Sequence, residues 1–240
     1  MNKIILSFSL LALSSITFAE MSYEQEVLLN CSKVKNYANV GKKLYDQKQY
    51  QKALEPFKQQ AKWSSFCEVN SEESGVSFSD QAISTAFNNV GLTYSKLGKY
   101  GWARAWFSAF PEMKATQFNL KQLPTPTQST NLAGKYVQHA GFGEWNIITV
   151  KRLQNAYQIE FNGLYMGARS LINGPNIGEF STRMPLQKNQ ASFREDDCRI
   201  DLKFGFNNKQ GQYIQANTQN MMSCGFGMNV SAEGVYLKVE

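Results

Sequence analysis

"NYANVGKKLYDQKQYQKALEPFKQQA" (residues 36–61) lies over "AFNNVGLTYSKLGKYGWARAWFSAF" (residues 86–110) when one is moved fifty residues along the chain. Gly41 then meets Gly91, Leu44 meets Tyr94, Tyr50 meets Tyr100, Ala53 meets Ala103 and Phe57 meets Phe107. The shared spacing, G-x2-[LY]-x8-A-x3-F, has a physical logic. Glycine and alanine let two antiparallel helices approach closely, and the aromatic residues fill the gap between them. Residues 20–123 show no strand-like alternation, so the spacing predicts helical hairpins across this half.

With those positions in hand, the half resembles the tetratricopeptide repeat, a helix–turn–helix unit of about thirty-four residues. Tyr37, Val40, Gly41, Leu44, Ala53 and Phe57 carry the resemblance in the first copy, and Phe87, Val90, Gly91, Tyr94, Ala103 and Phe107 in the second. Pro56 is an awkward guest in the first copy's second helix. The copies stand about sixteen residues further apart than a tandem array allows. "WSSFCEVNSEESGVSFSD" (63–80) is therefore an inserted loop or a helix extension. "PEMKATQFNLKQL" (111–123) reads as a capping helix with Pro111 at its start. The resemblance implies a protein-binding scaffold with a short groove, not a chemistry.

"LPTPTQSTN" (123–131) reads as a proline- and threonine-rich linker. Beyond it the period changes. "AGKYV", "EWNIITVKRL", "AYQIEF", "NIGEF", "QASFRE", "CRIDLKFGF", "GQYIQA" and "GVYLKV" are short runs of β-branched and aromatic residues, parted by turn signals such as "NGPN" and "NNKQG". They predict about eight strands in a small antiparallel barrel or sandwich. "AGKYV" and "EGVYLKV" have the same form, and pairing the first strand with the last would close a barrel. The expected fold is α+β in two domains: 20–122 helical, 123–131 linker, 132–240 β.

The ordered strand motifs, with Cys198 opening a middle strand and "CGFGMNVSAEGVY" (224–236) near the end, resemble the C-terminal β-domain of bacterial exported proteins grouped as lysozyme-inhibitor-like. The resemblance implies a protein partner such as a peptidoglycan hydrolase, or a toxin to which the chain confers immunity. Inhibitors of that kind plug the enzyme cleft with a serine–glycine loop beside a lysine. This chain has no such serine–glycine–serine run, and Lys209 in "NNKQGQY" is its nearest counterpart to the lysine.

The first nineteen residues read as a secretory leader: Lys3, the apolar run "IILSFSLLAL", then "TFA" before a cut after Ala19. The expected destination is the periplasm, with release beyond the cell the other one open to it. "LLNC" at 28–31 mimics a lipoprotein signal, but Asn30 stands where a small residue is needed. No other apolar run is long enough for a membrane helix, so no stable membrane insertion is expected.

Four cysteines in an exported chain imply disulfides. Three pairings exist; the order along the chain favours Cys31–Cys67 and Cys198–Cys224, one in each half, each contributing about 3–4 kcal/mol on the chain-entropy model. Zinc is disfavoured because no C-x-x-C pair occurs and His139 is the single histidine. The net charge of +6 is spread out, with no arginine cluster to call for nucleic acid. Residues 31–62 hold eight lysines against Asp46 and Glu55, whereas 63–80 hold Glu68, Glu72, Glu73 and Asp80 with no basic residue. Either the acidic stretch folds over the lysines, or Lys42, Lys43 and their neighbours present a face to an acidic protein.

Catalytic chemistry finds no foothold. A triad needs a base beside its nucleophile, yet His139 has no G-x-S-x-G elbow to serve. "REDDC" (194–198) lacks the spacing of a calcium loop and reads as a charged turn. "GFGMNVSAEG" (225–234) leads into a strand, so it is not a phosphate loop. No cofactor motif occurs. "GFGEW" (141–145) with Met166, Met221, Met222 and Met228 offers an apolar surface, although methionines in a small barrel more often fill the core. The expected function is binding of another protein. Docking of an envelope complex through the repeats, or a small molecule held inside the barrel, are the alternatives.

Overall fold

The computed structural model describes residues 21–240, so the leader and the cut after Ala19 lie outside the described residues. Helices come first: α1 (Tyr23–Ser32), α2 (Val34–Asp46), α3 (Tyr50–Val69), the single turn α4 (Ser71–Ser74), α5 (Asp80–Lys96), α6 (Tyr100–Phe107) and α7 (Lys114–Gln122). α1 starts in a capping box between Ser22 and Gln25. α5 starts on Ser79, whose hydroxyl accepts the Ala82 N–H at 3.3 Å.

The fifty-residue repeat is visible in the backbone as well as in the side chains. α2 turns into α3 through Lys48 at φ +61°, and α5 turns into α6 through Gly98, fifty residues on, at φ +72°. The same bond closes each turn: Gln49 N–H donates to the Leu44 carbonyl at 2.9 Å and Lys99 N–H to the Tyr94 carbonyl at 3.0 Å. Gly41 lies under the ring of Phe57, where a Cβ would come 2.5 Å from Cδ1. Gly91 lies under Phe107 in the same way. Ala53 and Ala103 are fully buried. α3 packs on α5 and joins the hairpins.

The excess length between the copies is mainly helix. α3 runs on to Val69, and Cys67 near its end is bonded to Cys31 of α1. Pro56 sits inside α3 and takes the donor away from the Lys52 carbonyl, on an exposed stretch where water can serve it. The acidic stretch does not fold over the lysines. Among the described residues none of Glu68, Glu72, Glu73 and Asp80 ion-pairs with a lysine of 31–62. Glu68 instead accepts the Ser77 hydroxyl and the Phe78 N–H, pinning the loop before α5. Pro111 is not a helix start either: α7 begins at Lys114.

Residues 123–131 do not act as a free spacer. Arg104 Nη2 donates to the Pro124 carbonyl at 3.0 Å, Gln212 Nε2 to the Ser129 carbonyl at 2.7 Å, and Lys238 Nζ to the Asn131 carbonyl at 2.9 Å. The segment is held by a helix on one side and by strands on the other.

The strands are β1 (Gly134–Gly141), β2 (Glu144–Arg152), β3 (Ala156–Tyr165), β4 (Asn176–Pro185), β5 (Gln190–Glu195), β6 (Cys198–Asn207), β7 (Gly211–Gln219) and β8 (Gly234–Lys238), with a one-turn helix α8 (Ser170–Asn173) between β3 and β4. Every ladder is antiparallel, in the order β4-β3-β2-β1-β8-β7-β6-β5. β1 does pair with β8, through Tyr136↔Lys238 and Val137↔Leu237. The barrel is nearly closed, and its seam lies between β4 and β5. There Phe180 stacks on Phe193 at 4.9 Å, and the Thr182 hydroxyl donates to the Ser192 carbonyl at 2.8 Å.

The interior is packed with Tyr136, Ile148, Ile159, Phe161, Ile200 and Tyr236, all at most 1% exposed. The likeness of "AGKYV" to "EGVYLKV" is structural. Each strand opens on a positive-φ glycine, and each tyrosine hydroxyl donates four residues back, Tyr136 to Leu132 at 2.8 Å and Tyr236 to Ala232 at 2.9 Å. Cys224 is bonded to Cys198, and Phe226 folds onto Phe161 at 5.7 Å over the core. Gly227 passes so close to β4 that a Cβ would come 2.9 Å from the Ile177 carbonyl oxygen. Met221, Met222 and Met228 are not core filler, at 40%, 99% and 77% exposed, whereas Met166 packs partly buried against the cluster around Cys31–Cys67.

Candidate functional site

Among the described residues, two places combine concavity with usable chemistry; the first follows from how the helices meet the barrel and the second from how the helices pack on one another. The β1–β2 turn is the point of contact. Phe142 at φ +48° and Gly143 at φ +73° make it tight, which projects Phe142 and Trp145 into the helices. Phe142 packs edge-on against Phe66 of α3 at 5.3 Å. Trp145 stands across Trp106 at 5.2 Å and Trp102 at 5.9 Å, both on α6.

Polar contacts complete the junction. Lys62 pairs with Glu144 at 2.5 Å, and Asn70 Nδ2 donates to the Ala168 carbonyl at 2.9 Å. Trp102 Nε1 donates to Glu240 at 3.1 Å. The Trp106 indole N–H is buried without an acceptor among the described residues.

His139 belongs to this junction. Its ring lies between Phe87 at 5.2 Å and Trp145 at 5.5 Å, and its Nε2 accepts the Gly143 N–H at 3.2 Å. That bond occupies the lone pair a general base would use and places the proton on Nδ1. Burial lowers its pKa to about 4, so it is neutral at pH 7. What it does here is hold the β1–β2 turn in shape.

Beside the turn, a cleft of about 250 Å³ is lined by the aromatic rings of Tyr94, Trp102, Trp106 and Trp145 and by Glu55, Lys58, Gln59, Lys62 and Glu144. Sequence reasoning did not bring these residues together. Their signal was the placing of three of the four tryptophans in α6 and the "GFGEW" turn, which periodicity alone reads as packing.

The second place is a groove of about 320 Å³ between α2 and α5. Ala38, Tyr45 and Leu92 form its apolar sides with Phe57 beneath, and Asn39, Lys42, Asp46 and Asn89 edge it. Lys42 reaches Asp46 at 2.6 Å, an exposed pair of small energetic weight. Lys43 is exposed on α2 but does not line the groove. Lys35, Lys48 and Lys52 are exposed too, and among the described residues none has a carboxylate within ion-pair distance. Of the repeat positions, Phe57 alone reaches the groove; Gly41, Leu44, Ala53, Gly91, Tyr94, Ala103 and Phe107 do not line it.

Lys209 sits apart from α2, on the β6–β7 turn. The Asn207 side chain accepts the amides of Lys209 and Gln210 at 3.0 and 2.8 Å and leaves the lysine exposed. Asp196 and Asp197 of "REDDC" form the β5–β6 turn. No known protein family, curated protein or solved structure matches the chain.

Proposed function

We propose that the chain is an exported, non-enzymatic binding protein that takes a short acidic segment of another protein into the α2–α5 groove. The observation that carries this reading is an apolar-floored groove on a hairpin whose Lys35, Lys43, Lys48 and Lys52 are exposed with no carboxylate in ion-pair distance among the described residues, while Lys42 at its edge has only an exposed pair with Asp46. Phe57 and Leu92 would anchor apolar side chains, while Lys42 and Lys43 meet carboxylates. Such charge pairing at a rim acts mainly on association rate and falls with salt. The tetratricopeptide-like spacing of Gly41, Ala53 and Phe57 supports the same use of the groove. The leader and the two disulfides support the periplasm as its place of work.

The partner class we propose is a cell-wall hydrolase or a toxin of that activity, against which the chain acts as inhibitor or immunity protein. The support is the terminal "CGFGMNVSAEGVY" string and its resemblance to lysozyme-inhibitor-like domains. Lys209, held out on a rigid turn, is the second contact we assign. The test is residual activity of purified muramidases and amidases with the mature, oxidised chain at micromolar concentration. Inhibition of at least one enzyme is expected, and it should be lost when Lys42→Glu and Lys43→Glu are combined. Full activity across the panel sinks the hydrolase reading, and inhibition untouched by charge reversal moves the site away from the groove.

A further inference from the structure

The aromatic cleft beside the β1–β2 turn does not touch the α2–α5 groove and has a different chemistry. Tyr94 and Trp102 are stacked at 5.7 Å, with their planes 17° apart. Trp145 stands at 79° to Trp102, so the two indoles form an apolar corner. Trp102 and Trp145 both keep part of their surface open. Around the corner stand two acids, two lysines and an amide, already in partnership: Lys62 with Glu144 at 2.5 Å, Gln59 Nε2 donating to Glu55 at 2.7 Å, and Lys58 over the Tyr94 ring at 5.5 Å.

The charges of the lining cancel. A quaternary ammonium group would need an acidic excess around the rings, and a phosphate would need a basic one. What matches a neutral cleft with an aromatic corner and a mixed donor–acceptor rim is a ligand with one flat C–H face and a ring of hydroxyls. A hydroxyl both donates and accepts, so it can meet the carboxylate of Glu55, the ammonium of Lys58 and the amide of Gln59 alike. The C–H face in turn fits the electron-rich face of an indole.

We infer that this cleft binds a neutral saccharide, with one pyranose ring against the Trp102–Trp145 corner and its hydroxyls on Glu55, Lys58 and Gln59. The volume of about 250 Å³ is just below the usual range of small-molecule sites, about 300–1,000 Å³. It takes one ring and leaves the rest of a glycan in solvent. The site is composite: Trp102 comes from α6 and Trp145 from β2, so it exists only while helices and barrel are docked.

The test is a titration of the full, oxidised chain with a β-1,4-linked N-acetylglucosamine trimer, with cellotriose and with maltotriose, followed by tryptophan fluorescence and calorimetry. Tetramethylammonium chloride and inorganic phosphate serve as charged probes. At least one saccharide should saturate the signal at millimolar concentration or below. Glu55→Ala and Lys58→Ala should each weaken it about five-fold, the equivalent of one hydrogen bond, without moving the melting temperature. Glu55→Gln provides a second variant that preserves packing and should weaken binding in the same direction. The inference is overturned if no saccharide responds at millimolar concentration, if only tetramethylammonium or phosphate binds, or if saccharide binding is indifferent to all three variants. None of these outcomes bears on the α2–α5 groove, whose test reads hydrolase activity.

Discussion

Lys48 and Gly98 occupy the same turn in the two copies of the repeat, and both have left-handed backbone. For glycine this conformation is free, whereas for lysine the Cβ crowds its own carbonyl at roughly 1–2 kcal/mol. Lys48→Gly should therefore raise stability by about 1 kcal/mol in urea unfolding, and Gly98→Lys should lower it by a similar amount. His139 gives a pH signature. Its folded-state pKa, about 4, lies below the ordinary value of 6.5 because burial disfavours the imidazolium. As pH falls through 6.5 the unfolded chain takes up the proton first, so stability is complete above that value and is lost on the way down to about 4. The ring is only partly buried and also borders a separate hollow with Ala105, Ser108 and Ala109, so we expect the loss to be about 2 kcal/mol, smaller than the full shift would give. His139→Gln, which can still accept the Gly143 N–H, should flatten this part of the stability–pH curve while leaving the carboxylate-driven loss below it.

Among elements, the hairpins and the last strand depend on close approaches that leave no room for a methyl group. Gly91→Ala gains about 1 kcal/mol of helix propensity. It also drives a Cβ into the Phe107 ring, and overpacking of that kind costs about 1–3 kcal/mol. The net expectation is a loss of up to about 2 kcal/mol, recovered in part when Phe107→Leu is added; an additive double mutant would contradict the contact. Cys198 and Cys224 are 26 residues apart in sequence and fasten the strap before β8 to the start of β6. Replacing both by serine should cost about 3.5 kcal/mol on the chain-entropy model. For a chain of this size that is a fall of roughly 10 °C in melting temperature. A melt unchanged in the double variant would show that the strap is held by Phe226 and not by the bond.

At the scale of the whole molecule, the β1–β2 turn couples the parts. Phe142, 8% exposed, is set among α1, α3 and their disulfide, and Trp145 packs with the α5–α6 core. With this contact intact, the helical far-ultraviolet signal and the strand amide I infrared band should melt together. Removing both rings, Phe142→Ala with Trp145→Ala, deletes contacts worth about 3–5 kcal/mol each. It should separate the two curves, with the helices melting first. Coincident curves in that variant would mean the strap at 123–131 is enough to hold the parts together.

Much of the fold is local in origin, and that part was legible in the amino-acid order. Helical period, alternation and turn residues report which face of an element is buried, so the helical half, the eight strands and the two disulfides could all be read. The methionines show the limit of such reading, because exposure depends on what covers a surface, and nothing covers Met222. Lys42 was legible as charge, but its place at an apolar-floored groove was not. The aromatic cleft needed the fold outright. Trp102 and Glu240 are 138 positions apart and hydrogen-bonded, and no pattern within α6 or β2 states that the two will meet. The sequence determined each element and its buried face; only the tertiary structure decided which faces met, because complementarity between distant surfaces is a property of the pair and is written in neither segment alone.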